Sequence, residues 1–251
     1  MKLFANQTTV MQPPDHKPAR RAVDKRTLLS GHPIFGVLGP EALERLSSYA
    51  VCRTVKRGAP ILVKGDSGTS LFAVLSGTVK ITTQSSSGRE ALFNLITDGA
   101  IFGEIAPLDG GPRTADATAV TECELMVIEQ RDFESLVHER PQIAFKLFEV
   151  LCDRLRRTTE QLEDLMFLDL PGRLAKTLLR LNQEYKQSQS GRKIALTQQD
   201  LSEIIGMSRE STNKLLRLWE KRKWLLLGHG GVEVLVPEAL AAIASTVPDG
   251  E

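Results

Sequence analysis

Phe102-Gly103-Glu104-Ile105-Ala106-Pro107-Leu108-Asp109-Gly110-Gly111-Pro112-Arg113-Thr114-Ala115 is the stretch on which the reading of this 251-residue chain turns. Gly103 and Glu104 fall where a short helix opens. Free backbone N–H groups at such a start can receive an anion. Arg113 offers a planar fork suited to two phosphate oxygens, and Thr114 sets a hydroxyl beside it. A carboxylate cannot hold phosphate, but Glu104 can accept hydrogen bonds from a sugar hydroxyl. One arginine, one glutamate and close backbone therefore describe a ribose-phosphate pocket. The same residues would serve equally as a buried Arg–Glu pair capping a turn.

Around this stretch, between residues 51 and 128, short apolar runs are punctuated by glycine. Residues 61–63, 71–75, 79–83, 91–96 and 123–128 read as strands. The breaks fall at Arg57-Gly58, Gly65-Asp66, Ser76-Gly77, Ser87-Gly88 and Asp98-Gly99. Regular spacing with turn signals predicts an antiparallel barrel or roll. A short helix opening at Pro40 precedes it.

A long helix is predicted over residues 141–168. Its apolar positions Phe148, Leu151, Leu155, Thr158, Leu162 and Leu165 step by 3, 4, 3, 4, 3, the register of a two-stranded coiled coil. Thr158 breaks the apolar run halfway along, with Thr159 beside it. Such a threonine sets register or bonds back to its own helix, unless something polar lies opposite. Pro171-Gly172 then opens a second helical region. The organisation expected is a flexible basic tail (1–28), a β-roll domain (29–139), the long helix (140–169) and a C-terminal domain (170–245).

In that last part, residues 196–218 read as two short helices around a tight turn. Thr197 is a candidate N-cap, Gly206 ends the first helix and Ser208 caps the second. Leu201, Ile204, Ile205, Leu215 and Leu218 supply the core faces. Arg209, Glu210, Thr212, Asn213, Lys214 and Arg217 populate the outer face. This arrangement fits a DNA-reading helix-turn-helix, followed by a hairpin around Gly228-His229-Gly230-Gly231. An ordinary helical hairpin with a solvated charged face would share the pattern.

Charge is distributed unevenly. Net charge is +1, yet residues 171–224 hold twelve Lys and Arg against five Asp and Glu, while residues 29–170 hold fourteen against twenty. A local excess of this kind suits a phosphate-binding module. Cys52, Cys123 and Cys152 are odd in number and far apart, which is neither a disulfide framework nor a CxxC metal pattern and is a poor match to the clustered thiolates of an iron–sulfur sensor. The N-terminus carries no signal-peptide pattern, and no apolar run reaches the roughly 18 residues of a membrane helix. A soluble cytoplasmic protein is expected, without a membrane partner.

The stretch 102–115 resembles the phosphate-binding cassette of cyclic-nucleotide-binding domains, with Gly103-Glu104 and Pro112-Arg113-Thr114-Ala115 in place. Gly58, Gly65-Asp66 and Gly77 resemble the glycine pattern of the same domain's β-roll. Thr158-Thr159-Glu160 through Phe167-Leu168-Asp169 resembles a dimerisation helix, and Ser208-Arg209-Glu210-Ser211-Thr212 a recognition helix. Together they resemble the CRP/FNR family of transcription regulators, of the cyclic-AMP receptor type, over residues 34–237. The fold implied is α+β: an antiparallel β-roll, a long dimerisation helix and a winged helix-turn-helix.

The resemblance implies that Gly103, Glu104, Ile105, Arg113 and Thr114 form the ligand cradle. Arg113 and Thr114 would hold the cyclic phosphate and Glu104 the ribose 2′-hydroxyl. Thr158, with Thr159 of the partner subunit, would reach the base. Cyclic AMP is the implied ligand, and Thr114, which resembles a threonine of cyclic-GMP-binding domains, implies measurable binding of cyclic GMP. In the C-terminal part Gln198, Ser208, Arg209, Glu210, Thr212, Asn213, Lys214 and Arg217 are the implied DNA contacts, with half-sites close to GTGA. Arg209 would read guanine and Glu210 cytosine. The family often has arginine at the position of Gln198, so a phosphate contact there is weakened. A homodimer, two-fold symmetric double-stranded DNA and RNA polymerase are the implied partners; the polymerase contact would fall on the polar loop 186–193, whose residues carry no signal of their own. An enzyme with a cupin-like metal site is rejected, because His16, His32, His138 and His229 all lie outside the predicted strands. A family member answering another ligand, or none, is the alternative.

Overall fold

The computed structural model describes residues 29–86, 88, 90–187, 193–194, 196–228 and 231–245. The tail 1–28, the middle of the loop 186–193 and the hairpin tip at residues 229–230 lie outside the described residues. A 3-10 turn at Phe35–Val37 and helix α1 (Pro40–Tyr49) come first. Eight strands follow: β1 (Val51–Val55), β2 (Pro60–Leu62), β3 (Ser70–Ser76), β4 (Val79–Gln84), β5 (Glu90–Ile96), β6 (Ile101–Phe102), β7 (Asp116–Ala119) and β8 (Cys123–Glu129). Helix α2 (Ile105–Asp109) interrupts them after β6. The strands make two antiparallel four-stranded sheets, in the orders β1-β8-β3-β6 and β2-β7-β4-β5.

The two-residue alternation of side chains along each strand explains how this roll is held. Phe72 and Val74 of β3 and Cys123 and Leu125 of β8 point inward, with Val79, Ile96, Phe102 and Ala117. Their neighbours Leu71, Ala73, Met126 and Ile128 point the other way, against a cap of Leu43 and Leu46 from α1, with Phe133 and Leu147 from the helices that follow. The sequence pattern missed β1, β6 and β7. β6 is two residues long, and β7 reads Asp-Ala-Thr-Ala, too small and polar to register as a strand.

Helix α3 (Gln130–Glu139) leads into α4 (Gln142–Phe167), whose 26 residues span about 39 Å at 1.5 Å per residue. Ile143 and Leu147 anchor the start of α4 in the core. Leu151 is half-buried against the core, and beyond it the apolar seam is exposed: Leu155 is 69% exposed and Leu162 58%. The chain turns extended at Leu168, and α5 (Leu170–Gln187) begins.

The remaining elements are β9 (Lys193–Ile194), α6 (Gln198–Ile205), α7 (Arg209–Lys221), β10 (Leu225–Gly228), β11 (Gly231–Val234) and α8 (Pro237–Ala244). Strands β10, β11 and β9 form a small antiparallel wing. Leu174, Leu178 and Leu181 of α5, Leu201 and Ile205 of α6, and Leu216 and Trp219 of α7 share one core with the wing. Leu92 and Leu95 of β5 belong to the same cluster, so the roll and the C-terminal helices pack on each other.

Candidate functional site

A cavity of about 300 Å³ lies between the roll and α4. Gly103, Glu104, Ile105, Arg113, Thr114 and Thr158 all line it, so residues 55 positions apart meet. Thr159 does not line it; its hydroxyl donates to the Leu155 carbonyl at 3.0 Å on the helix exterior. Thr158 makes the same back-bond, to Arg154 at 2.9 Å, and faces the cavity.

Arg113 is 5% exposed and fixed from two sides. One terminal nitrogen donates to the Gly103 carbonyl (2.6 Å) and the other to the Ser70 carbonyl (2.8 Å). Burial pulls its pKa down, while Glu104 and Glu129 oppose the shift. Gly68 passes so close that a Cβ there would come within 2.1 to 2.3 Å of three guanidinium atoms, which no side chain can do. The backbone has been brought against the arginine, and the loop thereby holds its fork still.

Glu104 is fully buried. Its Oε1 pairs with Arg154 of α4, whose second nitrogen donates to the Ile101 carbonyl. Its Oε2 has no hydrogen-bond partner in the structure. A buried carboxylate oxygen left without a donor is costly, and a hydroxyl delivered by a ligand would satisfy it. The donor set thus fits a sugar-phosphate: a fixed guanidinium at one end and an open acceptor at the other. Glu104 does form a buried ion pair, but with Arg154 and not with Arg113 as the capping reading of the sequence had it.

Sequence reasoning missed Arg154, Arg157 and Gln161 of α4, and Phe93 and Asn94 of β5, all of which line the cavity. Arg154 lies four residues before Thr158 and Gln161 three after it, one helical face. That spacing was readable. The β5 residues were not, because their approach depends on a bulge at Phe93, where Ile81 pairs Asn94 and Thr82 pairs Leu92.

In the C-terminal helices the caps form as expected. The Thr197 hydroxyl accepts from the Asp200 N–H, and the Asp200 carboxylate accepts from the Thr197 N–H in return. Gly206 adopts the left-handed conformation at φ 70°, and the Ser208 hydroxyl accepts from the Ser211 N–H at 3.2 Å. Arg209, Glu210, Lys214 and Arg217 are exposed on α7, and Gln198 is half-buried at the start of α6. Two placements are corrected. Thr212 is fully buried and donates to the Ser208 carbonyl at 3.1 Å, so it is not on the outer face. Leu218 is 43% exposed, and Leu216 and Trp219 take the core positions; on a 3.6-residue helix the buried stripe runs 212, 216, 219. Asn213 is half-buried, with its Oδ1 lacking a partner.

Residues 52–140 match the cyclic nucleotide-binding domain family, and residues 172–243 match the Crp-like helix-turn-helix domain. A "CRP-like cAMP-activated global transcriptional regulator" of Mycobacterium tuberculosis is 36% identical over 211 residues, covering 83% of this chain and 94% of the relative. The chain belongs to the CRP/FNR family of transcription regulators. The "Cyclic AMP receptor protein" of Thermus thermophilus is 32% identical, with 86% of this chain and 98% of that protein covered. Among solved structures, the "c-di-GMP Responsive Global Regulator CLP" of Xanthomonas campestris shares the CRP/FNR fold, with a TM-score of 0.67, 24% identity and coverage of 78% of this chain and 99% of that one. FixK2 of Bradyrhizobium japonicum shares it as well, with a TM-score of 0.68 at 18% identity, covering 79% and 98%. This CRP/FNR chain is a DNA-binding transcription regulator with a cyclic-nucleotide-binding domain. Among the described residues no cluster could hold a metal ion, and no helix is long and apolar enough to cross a membrane.

Proposed function

We propose that the protein is a cytoplasmic homodimer that binds cyclic AMP in the cavity between roll and α4, and cyclic GMP more weakly, and thereby controls its affinity for a two-fold symmetric DNA site. The domains are residues 29–139, the dimerisation helix 140–169, and the DNA-binding part 170–245. The observation that carries the ligand reading is the convergence of Arg113, Glu104 and Thr158 on one cavity, with Glu104 Oε2 open. Arg113 and Thr114 take the cyclic phosphate, Glu104 the ribose hydroxyl, and Thr158 with Thr159 of the partner subunit the base. Thr159's position outside its own cavity suits a residue that serves its neighbour's. Arg209, Glu210, Lys214 and Arg217 read DNA. RNA polymerase is the partner of the bound dimer.

Calorimetric titration with cyclic mono- and dinucleotides tests this reading. Cyclic AMP is expected to bind, and Arg113→Leu to weaken it at least a hundredfold, as loss of a charge-assisted bidentate contact should. Binding within threefold of wild type in that variant removes the cassette from the account. Thr114→Ala should weaken cyclic GMP more than cyclic AMP, and Thr159→Ala the reverse. An unchanged affinity ratio in both variants would show that other residues set base identity.

A further inference from the structure

Strand β5 serves two sites at once. Phe93, Asn94 and Ile96 line the nucleotide cavity. Leu92 and Leu95 are buried against Leu201 and Ile205 of α6, the first helix of the DNA-binding unit. Beside them, Lys80 of β4 reaches three carboxylates. Its amine is 3.1 Å from Glu90 on β5, 3.5 Å from Asp200 and 3.7 Å from Glu203, the last two on α6. Lys80 itself is only 18% exposed, and Glu203 is buried. Each α6 carboxylate has its other oxygen engaged locally. Asp200 Oδ2 accepts from Thr197, and Glu203 Oε1 accepts from Gln199 at 2.7 Å.

Without a cation here, three carboxylates would crowd a largely dry junction, where like charges repel far more strongly than in water. Burial raises the pKa of Glu203, with the neighbouring acids adding to the rise and Lys80 opposing it. Burial alone would lower that of Lys80, but its net shift is upward because the three acids outweigh it. The upward shift of Lys80 describes a cation held by the anions around it, while that of Glu203 shows that burial and the neighbouring acids outweigh what Lys80 and Gln199 supply. Lys80 thus offsets charge repulsion where the apolar faces of β5 and α6 meet.

We propose that Lys80 is the positioning residue that ties α6 to the wall of the nucleotide cavity, so that occupancy of the cavity reaches the DNA-binding helices through the β4–β5 hairpin. The proposal rests on the nucleotide-linked DNA binding proposed above. Coupling between two sites requires an element whose position both sites bias. β5 meets that requirement, since the bulge at Phe93 lets it face both ways and Gln161 of α4 donates to the Phe93 carbonyl at 3.2 Å.

The experiment measures affinity of the full-length protein for a duplex with two-fold GTGA-type half-sites, with and without saturating cyclic AMP. The ratio is the coupling factor. Lys80→Glu should bring that factor to within about threefold of unity, while cyclic AMP still binds. Lys80→Arg should preserve it, and the charge exchange Lys80→Glu with Glu203→Lys should restore at least a third of it. A merely structural lysine would lose stability in Lys80→Glu without moving the ratio. A ratio in Lys80→Glu within twofold of wild type, or a charge exchange that restores nothing, overturns the proposal. Wild-type affinity indifferent to cyclic AMP would overturn both this inference and the function on which it rests.

Discussion

Gly68 and Arg113 show how much a single missing methyl can decide. Gly68→Ala keeps every charged group of the cavity, yet its Cβ cannot coexist with the guanidinium where it now lies. The flexible guanidinium end is the part that shifts most cheaply, away from the Gly103 and Ser70 carbonyls, and cyclic AMP affinity should fall at least tenfold, as in a milder Arg113→Leu. Calorimetry that finds unchanged affinity in Gly68→Ala would show that Arg113 needs no fixing. His32 makes a second case. It is buried against Phe35, its Nδ1 accepts from the Ile34 N–H, and its Nε2 has no partner. Burial lowers its pKa to about 4, against 6.5 for an exposed imidazole. The folded state therefore prefers the neutral ring. Its contribution is complete above pH 6.5 and is lost as pH falls toward 4. At pH 5 the linkage amounts to roughly 2 kcal/mol. Urea unfolding at pH 7 and pH 5 should show wild type losing about that much more than His32→Asn; equal losses would place the acid sensitivity elsewhere.

At the scale of elements, α7 separates what a periodic pattern can tell from what it cannot. The caps at Thr197 and Ser208 and the turn at Gly206 were legible, because each depends on one residue type in one local conformation. The buried face was misread by one position, since Thr212 is polar and short enough to sit on either side. Its hydroxyl bonds its own helix, which relieves the cost of burial. Thr212→Val should therefore leave base specificity intact and cost about 1 kcal/mol of stability. Arg209→Ala and Glu210→Ala should each relax one base pair by roughly 1–3 kcal/mol. Competition binding against single-base operator variants distinguishes them, and a specificity change in Thr212→Val would return that residue to the DNA face. The cassette was legible for a related reason: Gly103-Glu104 and Arg113-Thr114 form one contiguous run. Arg154 shares a readable helical face with Thr158, but its pairing with Glu104, 50 residues away, follows no local rule.

For the whole molecule, the seam on α4 matters most. Leu155 and Leu162 are more than half exposed in a single chain, at heptad spacing and beside the cavity wall. Covering them with a second α4 would bury an apolar stripe interrupted only at Thr158. Leu155→Arg with Leu162→Arg should yield a monomer by analytical ultracentrifugation, with operator affinity lowered at least a hundredfold because two half-sites can no longer be held together. A variant that stays dimeric would locate the association elsewhere.

The clasp of Arg154 on Glu104 and on the Ile101 carbonyl also bears on how this protein can be dissected. The cyclic-nucleotide-binding family match ends at residue 140, two residues before α4 begins. A fragment cut there keeps Arg113, Thr114 and every other motif of the cassette. It loses the wall that carries Arg154, Arg157, Thr158 and Gln161, and strips Glu104 of its cation. The sensing unit is therefore not the matched module alone but that module plus the helix that follows it. A biosensor engineered from this chain would have to carry α4 with it; a graft ending at residue 140 would transplant a recognisable motif and leave half of the receptor behind.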